Sequence, residues 1–89
     1  MHAPYLEVTF RNGRPIAAYY YLPRSPGATA SRTQRLESGL VVDYDHSDTP
    51  IGVEITAPRA LTLEAFNRVL VQLSQAPIAQ AEFAPLRAA

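Results

Sequence analysis

The chain has 89 residues and a formal net charge of zero, with eight Arg, no Lys and eight Asp plus Glu. That length accommodates one small domain over residues 1–89 with a modest core, and the balanced charge leaves no cationic excess for sequence-independent nucleic-acid binding. The absence of Cys excludes a disulfide framework, a thiolate metal site and a thiol nucleophile, and no apolar stretch approaches the length of a membrane span.

The first predicted element is a strand over Tyr5–Phe10, where Leu6, Val8 and Phe10 alternate with Glu7 and Thr9. Asn12-Gly13 follows, the strongest short signal for a type I′ hairpin because both central positions need positive φ. A plain two-residue turn sets Phe10 opposite Pro15, Val8 opposite Ala17 and Leu6 opposite Tyr19. The second strand is Ile16–Leu22, starting at Pro15 or running along an edge because Pro lacks an amide donor. Its Tyr19 and Tyr21 point one way and Tyr20 the other, so the run Tyr19, Tyr20, Tyr21 is a candidate partner-binding patch as well as a source of core.

Pro23–Ala28 reads as a loop, and Thr29–Leu36 as a third, polar strand. Glu37-Ser38-Gly39 turns the chain, with Gly39 in the left-handed position. Strands Gly39–Asp45 and Pro50–Thr56 then pair across His46–Thr49. Val42 faces Val53, Tyr44 faces Ile51 and Leu40 faces Ile55, all on one apolar side. Asp43, Asp45 and Glu54 fall on the other side, with Val41, Gly52 and Thr56. A one-residue slip would expose the whole apolar set, so the register is firmly specified.

A helix is expected over Leu63 to about Gln75. Thr62 is the N-cap, Glu64 favours the positive helix start, and Leu61 with Phe66 has the spacing of a hydrophobic staple. Leu63, Phe66, Val69, Leu70 and Leu73 form one stripe, and Pro77 is the stop signal. The tail from Pro77 to Ala89 carries Ile78, Phe83 and Leu86, which either dock on the core or meet a partner.

Asp43, Asp45 and Glu54 are the candidate ligand-binding residues. Two carboxylates diagonal on one sheet face can act as an acid–base pair or hold a divalent ion; they can equally pair with Arg32 or Arg35 of the third strand or face water. Gly52, facing Asp43, leaves room for a neighbouring side chain. A calcium-loop reading of Asp43–Glu54 fails at its sixth position, where Asp48 replaces the required glycine, and its flanks alternate like strands. His2 and His46 are not organised as base or ligand. No serine has a nucleophile-elbow context, so no catalytic residue, metal site or cofactor is assigned.

"GLVVDYDHSDTPIGVEITAP" resembles the central signature of the small bacterial YuzE-like proteins, a family without an established activity. Its Asp-Tyr-Asp strand end corresponds to Asp43, Tyr44 and Asp45. Its following Ile/Val-Gly-Ile/Val-Glu-Ile corresponds to Ile51, Gly52, Val53, Glu54 and Ile55. "YLEVTFRNGRPIAAYYYL" fits the family's leading strand pair loosely. The family turn normally carries Asp-Gly, where this chain has Asp48-Thr49-Pro50. Some relatives look like the smaller member of toxin–antitoxin-like gene pairs, which implies an antitoxin-like partnership in which the tail would order on a toxin.

The expected fold is α+β: an antiparallel β-meander of about five strands with one α-helix packed on one face. The expected function is a non-enzymatic interaction module that binds itself as a homodimer or binds another protein, with no nucleic acid and no membrane as partner. A small-ligand or metal-dependent enzyme using Asp43 and Glu54 is the alternative from another class. The N-terminus lacks a secretory pattern, and the expected compartment is the cytoplasm.

Overall fold

The computed structural model describes residues 3–37 and 39–87; His2, Ser38 and the last two residues of the tail lie outside them. The strands are β1 (Tyr5–Arg11), β2 (Arg14–Tyr21), β3 (Arg32–Glu37), β4 (Leu40–Tyr44) and β5 (Pro50–Ile55). They form one antiparallel sheet in the order β1-β2-β5-β4-β3. Helix α1 spans Leu63–Gln72, and the tail contributes a short helix α2 (Gln80–Phe83). Single 3-10 turns occupy Pro58–Ala60 and Ala84–Arg87. The architecture is α+β, as the periodicities imply. The hairpin β1-β2 and the meander β3-β4-β5 join side by side through β2 and β5, which puts β5 at the centre of the sheet.

The Asn12-Gly13 turn has φ of 51° and 75°, the two positive values a type I′ hairpin needs. Phe10 faces Pro15 as expected, but the register then shifts and Thr9 pairs with Ala17. Ile16 is the extra residue of a β-bulge. The expected pairs are therefore corrected to Val8 with Ala18 and Leu6 with Tyr20. The bulge brings Leu6 and Val8 onto the same side as Ala18, Tyr20 and Leu22, which all join the core. Pro15 lies before the β2–β5 ladder, which runs from Ala18 to Tyr21, so its missing donor costs no bond there.

Strand β3 begins at Arg32 instead of Thr29; one backbone bond from Ser31 to the Tyr44 carbonyl, 2.7 Å long, precedes it. Leu40 pairs with Ile55 and Val42 with Val53, as the alternation requires. Tyr44 pairs with Pro50 and not with Ile51, because the register shifts between Asp43 and Tyr44. The linking loop is closed by Asp45. Its Oδ1 accepts the Ser47 and Thr49 amides at 2.8 and 3.0 Å, while its own amide donates to the Thr49 carbonyl. Asp48 takes a left-handed φ of 62°, which short polar side chains tolerate.

Thr62 caps α1 through its hydroxyl oxygen, which accepts the Ala65 amide at 3.1 Å. Phe66, Val69 and Leu70 are fully buried against the apolar side of the sheet. The Phe66 ring meets Tyr20 edge-on, with centroids 5.3 Å apart. The helix ends at Gln72, short of Gln75 and of Pro77. Ser74 adopts φ of 61°, its amide reaches the Val71 carbonyl, and the Gln75 amide reaches the Leu70 carbonyl at 2.7 Å. Those two bonds are a Schellman closure, so backbone capping stops the helix before the proline is reached.

The tail docks on the protein's own core. Ile78, Phe83 and Leu86 are buried, and Phe83 packs against Phe66. Asn67 of α1 holds the tail at two points, donating to the Ile78 carbonyl at 3.1 Å and accepting the Ile78 amide at 2.9 Å. Arg87 stacks over Phe83 and donates to the carbonyls of Pro58 and Arg59, at 3.2 and 3.3 Å. Helix, tail and 3-10 turns thus share one side of the sheet.

Candidate functional site

No described helix packs on the opposite side of the sheet. Strand parity places Tyr5 and Glu7 of β1, Tyr19 and Tyr21 of β2, Gly52 and Glu54 of β5, Asp43 of β4 and Arg35 of β3 on that open face. Tyr5 pairs across the ladder with Tyr21, and Glu7 with Tyr19. The rings of Tyr5 and Tyr21 stack with centroids 4.5 Å apart, and Tyr19 meets Tyr21 edge-on at 4.7 Å. Tyr5 remains 53% exposed. Arg24, from the loop after β2, lies 5.4 Å from the Tyr21 ring centre and donates to the Ile51 carbonyl. The face therefore presents a fixed aromatic cluster with one cation at its border.

Asp43, Asp45 and Glu54 do not form one site. Asp43 pairs with Gly52, and Glu54 with Val41, so the two carboxylates are diagonal on the open face as the alternation requires. Asp43 is half-buried and accepts the Tyr19 hydroxyl at 2.7 Å. Glu54 is exposed. Asp45 is used in the loop it closes. Arg32 pairs with Asp48 at 2.9 Å and lies 4.0 Å from the Tyr44 ring centre, so the expected pairing of Arg32 with the sheet carboxylates is replaced by a loop contact. Among the described residues, no group of three or more His, Cys, Asp or Glu is placed to hold a metal ion.

Gly52 is what lets Tyr19 reach Asp43. A Cβ on Gly52 would fall under 3.0 Å from Oη, Cζ and Cε2 of Tyr19, a separation real Cβ atoms essentially never show. The Tyr19 ring thus lies on the bare backbone of β5 and extends its hydroxyl to β4. Burial, and then the hydrogen bond and negative charge of Asp43, push the Tyr19 hydroxyl up to about 12, with Arg24 acting in the opposite direction. The Tyr21 hydroxyl donates to Glu7 at 3.1 Å, and that bond raises its pKa above the ordinary value. Both hydroxyls stay protonated at neutral pH and act as hydrogen-bond donors.

Tyr20, grouped with its neighbours in the sequence, turns into the core and is 5% exposed. It leaves the candidate patch, and burial raises its hydroxyl pKa. Tyr5 and Arg24 enter in its place. Tyr5 was legible in principle, since it begins a strand on the same parity as Glu7, but its stacking on Tyr21 depends on the bulge at Ile16. Arg24 carries no such signal, because it comes from an irregular loop. No protein-family model matches the chain, and neither a curated protein nor a solved structure matches it.

Proposed function

We propose that this chain is a non-enzymatic interaction module that binds through the open face of its sheet, and that its partner there is a second copy of itself. The observation that carries this reading is the Tyr5–Tyr21–Tyr19 cluster on a sheet whose other side already bears the whole helical layer. Tyrosine supplies large contact area at low entropic cost, which suits it to interface centres. The charges support self-pairing. Glu7 lies on one edge strand of the face and Arg35 on the opposite edge strand. A two-fold axis parallel to the strands would set β1 of one copy over β3 of the other and bring those opposite charges together. A standard interface of about 800 Å² per partner is a modest share of the 5409 Å² surface.

The other two readings draw less from the geometry. Asp43 is engaged by Tyr19, and Glu54 is exposed on the same sheet face. The apolar tail residues that motivated an antitoxin-like partnership are used in the protein's own core.

Sedimentation velocity from low to high micromolar concentration tests the proposal. Dimer is expected, weakened at least tenfold by Tyr5→Ala and by Tyr21→Ala with folding retained. A monomer throughout that range refutes self-association. Stable capture of a different protein, lost in the same two variants, would move the reading to a heterologous partner.

A further inference from the structure

Apart from the open face, the hairpin tip holds a second feature. Arg11 and Arg14 flank the Asn12-Gly13 turn as direct cross-strand partners. Arg59 comes from the 3-10 turn after β5, far away in sequence, and the fold brings it to the same place. Together with Asn12, Pro15 and Ile16 these three arginines line one hollow of about 410 Å³. None of its lining residues is acidic. Among the described residues the ion pairs are Arg32–Asp48 and Arg68–Glu37, and neither involves these three cations.

Like charges directly opposite in a ladder are destabilising, and here a third cation is added. In a chain with equal numbers of acidic and basic residues, three of the eight arginines gather where none of the described carboxylates forms an ion pair with them. Guanidinium groups carry planar forks of donors that match the oxygens of a phosphate group. The Asn12 amide supplies a further neutral donor. Ile16, 45% exposed on its bulge, gives the hollow an apolar wall. The site suits a single compact dianion better than a polynucleotide, because Arg32 and Arg68 are paired with acids and Arg24 and Arg87 are engaged with backbone carbonyls elsewhere on the fold.

We infer that the hollow between Arg11, Arg14 and Arg59 is a binding site for a phosphate group, carried by a small phosphomonoester or present as the free ion. This inference is independent of the sheet-face reading, since none of the three arginines belongs to the tyrosine cluster.

The test is thermal unfolding and calorimetric titration of the full chain with inorganic phosphate and with phenyl phosphate, against chloride at matched ionic strength. Phosphate is expected to raise Tm beyond the chloride control, as a ligand of the native state must. Arg59→Gln and Arg14→Gln should each weaken phosphate binding at least tenfold, while Arg32→Gln on the opposite edge strand, where the guanidinium is paired with Asp48, leaves it unchanged. In phosphate-free buffer Arg14→Gln should unfold at the wild-type temperature or higher, because it relieves like-charge repulsion; a folding defect would have the opposite sign. Tighter binding of phenyl phosphate identifies a phosphomonoester as the ligand, and equal binding identifies the free ion; both uphold the site. Phosphate acting no differently from chloride, or binding Arg59→Gln as well as wild type, overturns the inference.

Discussion

Replacing Gly52 by Ala adds one methyl group at the centre of the open face, and the structure fixes what must yield. The new Cβ would overlap Oη, Cζ and Cε2 of Tyr19, so the ring has to swing off the β5 backbone. That movement breaks the 2.7 Å bond to Asp43. A hydrogen bond to a charged acceptor contributes about 1.5–3 kcal/mol, and the half-exposed position of Tyr19 favours the lower end. Lifting the ring returns some tens of Å² of apolar surface to water, at roughly 25 cal/mol per Å², or somewhat under 1 kcal/mol. Against this, Ala in a strand is favoured over Gly by roughly 0.5–1 kcal/mol. The expected net cost is about 1–2 kcal/mol, which for a domain of this size lowers Tm by on the order of 5–15 °C. The decisive assay is a double-mutant cycle followed by urea unfolding. With Tyr19→Ala the space over Gly52 is empty, so Gly52→Ala should become neutral or stabilising. Equal destabilisation by Gly52→Ala in both backgrounds would refute the claim that Gly52 exists to seat Tyr19.

Other outcomes follow from the same contacts. Tyr19 has its folded pKa raised to about 12 from an unfolded value near 10. Its contribution is therefore whole below pH 10 and is lost as pH rises through 12. The wild type should lose more stability over that window than Tyr19→Phe does, as followed by circular dichroism; parallel curves would contradict the assignment. Glu37 accepts two bonds from Arg68 at 2.8 and 3.2 Å, which hold its pKa below the ordinary value. This contribution is present above the ordinary glutamate pKa and lost as pH falls through the folded one, so Arg68→Gln should flatten the acid limb of the stability curve. Asn67→Ala removes both bonds to Ile78 and should cost about 1–3 kcal/mol, with amide exchange accelerating first in the tail; unchanged tail protection would show that packing alone holds it. Asp45→Ala should cost about 1–2 kcal/mol by denaturant unfolding, and Asp45→Asn much less, because an amide oxygen can still accept the Ser47 and Thr49 amides.

The readings that succeeded rest on local signals. Asn12-Gly13 dictates a type I′ turn by its backbone preference. Thr62 caps the helix because a hydroxyl one residue before the apolar stripe meets a free amide. The alternation in Leu40–Tyr44 and Pro50–Ile55 sets one face against the other, and Leu40–Ile55 and Val42–Val53 pair as that alternation demands. Both register errors have one cause. A single extra residue, Ile16 in β2 in one case and Ile51 in β5 in the other, has no sequence mark of its own. It is inserted where doing so lets more side chains reach the core.

The candidate sites divide along the same line. That Asp43 and Glu54 share a face follows from parity, which a single strand pair determines. Which groups they meet does not, because Tyr19 reaches Asp43 from β2 only after β2 and β5 become neighbours. The charge census reads the arginines as scattered along the chain, whereas folding carries Arg59 from beyond β5 to the β1-β2 turn.

By itself the sequence determined the elements, the α+β class, the inward residues of α1 and the pairing of β4 with β5. Each of these depends on side-chain period or turn chemistry within a few residues. Only the tertiary structure decided that β5 lies beside β2, that Tyr20 is core while Tyr5 joins Tyr19 and Tyr21, and that three arginines share one hollow. Those outcomes depend on contacts between segments distant along the chain, selected by the joint burial of sheet, helix and tail and not by any residue's own preference.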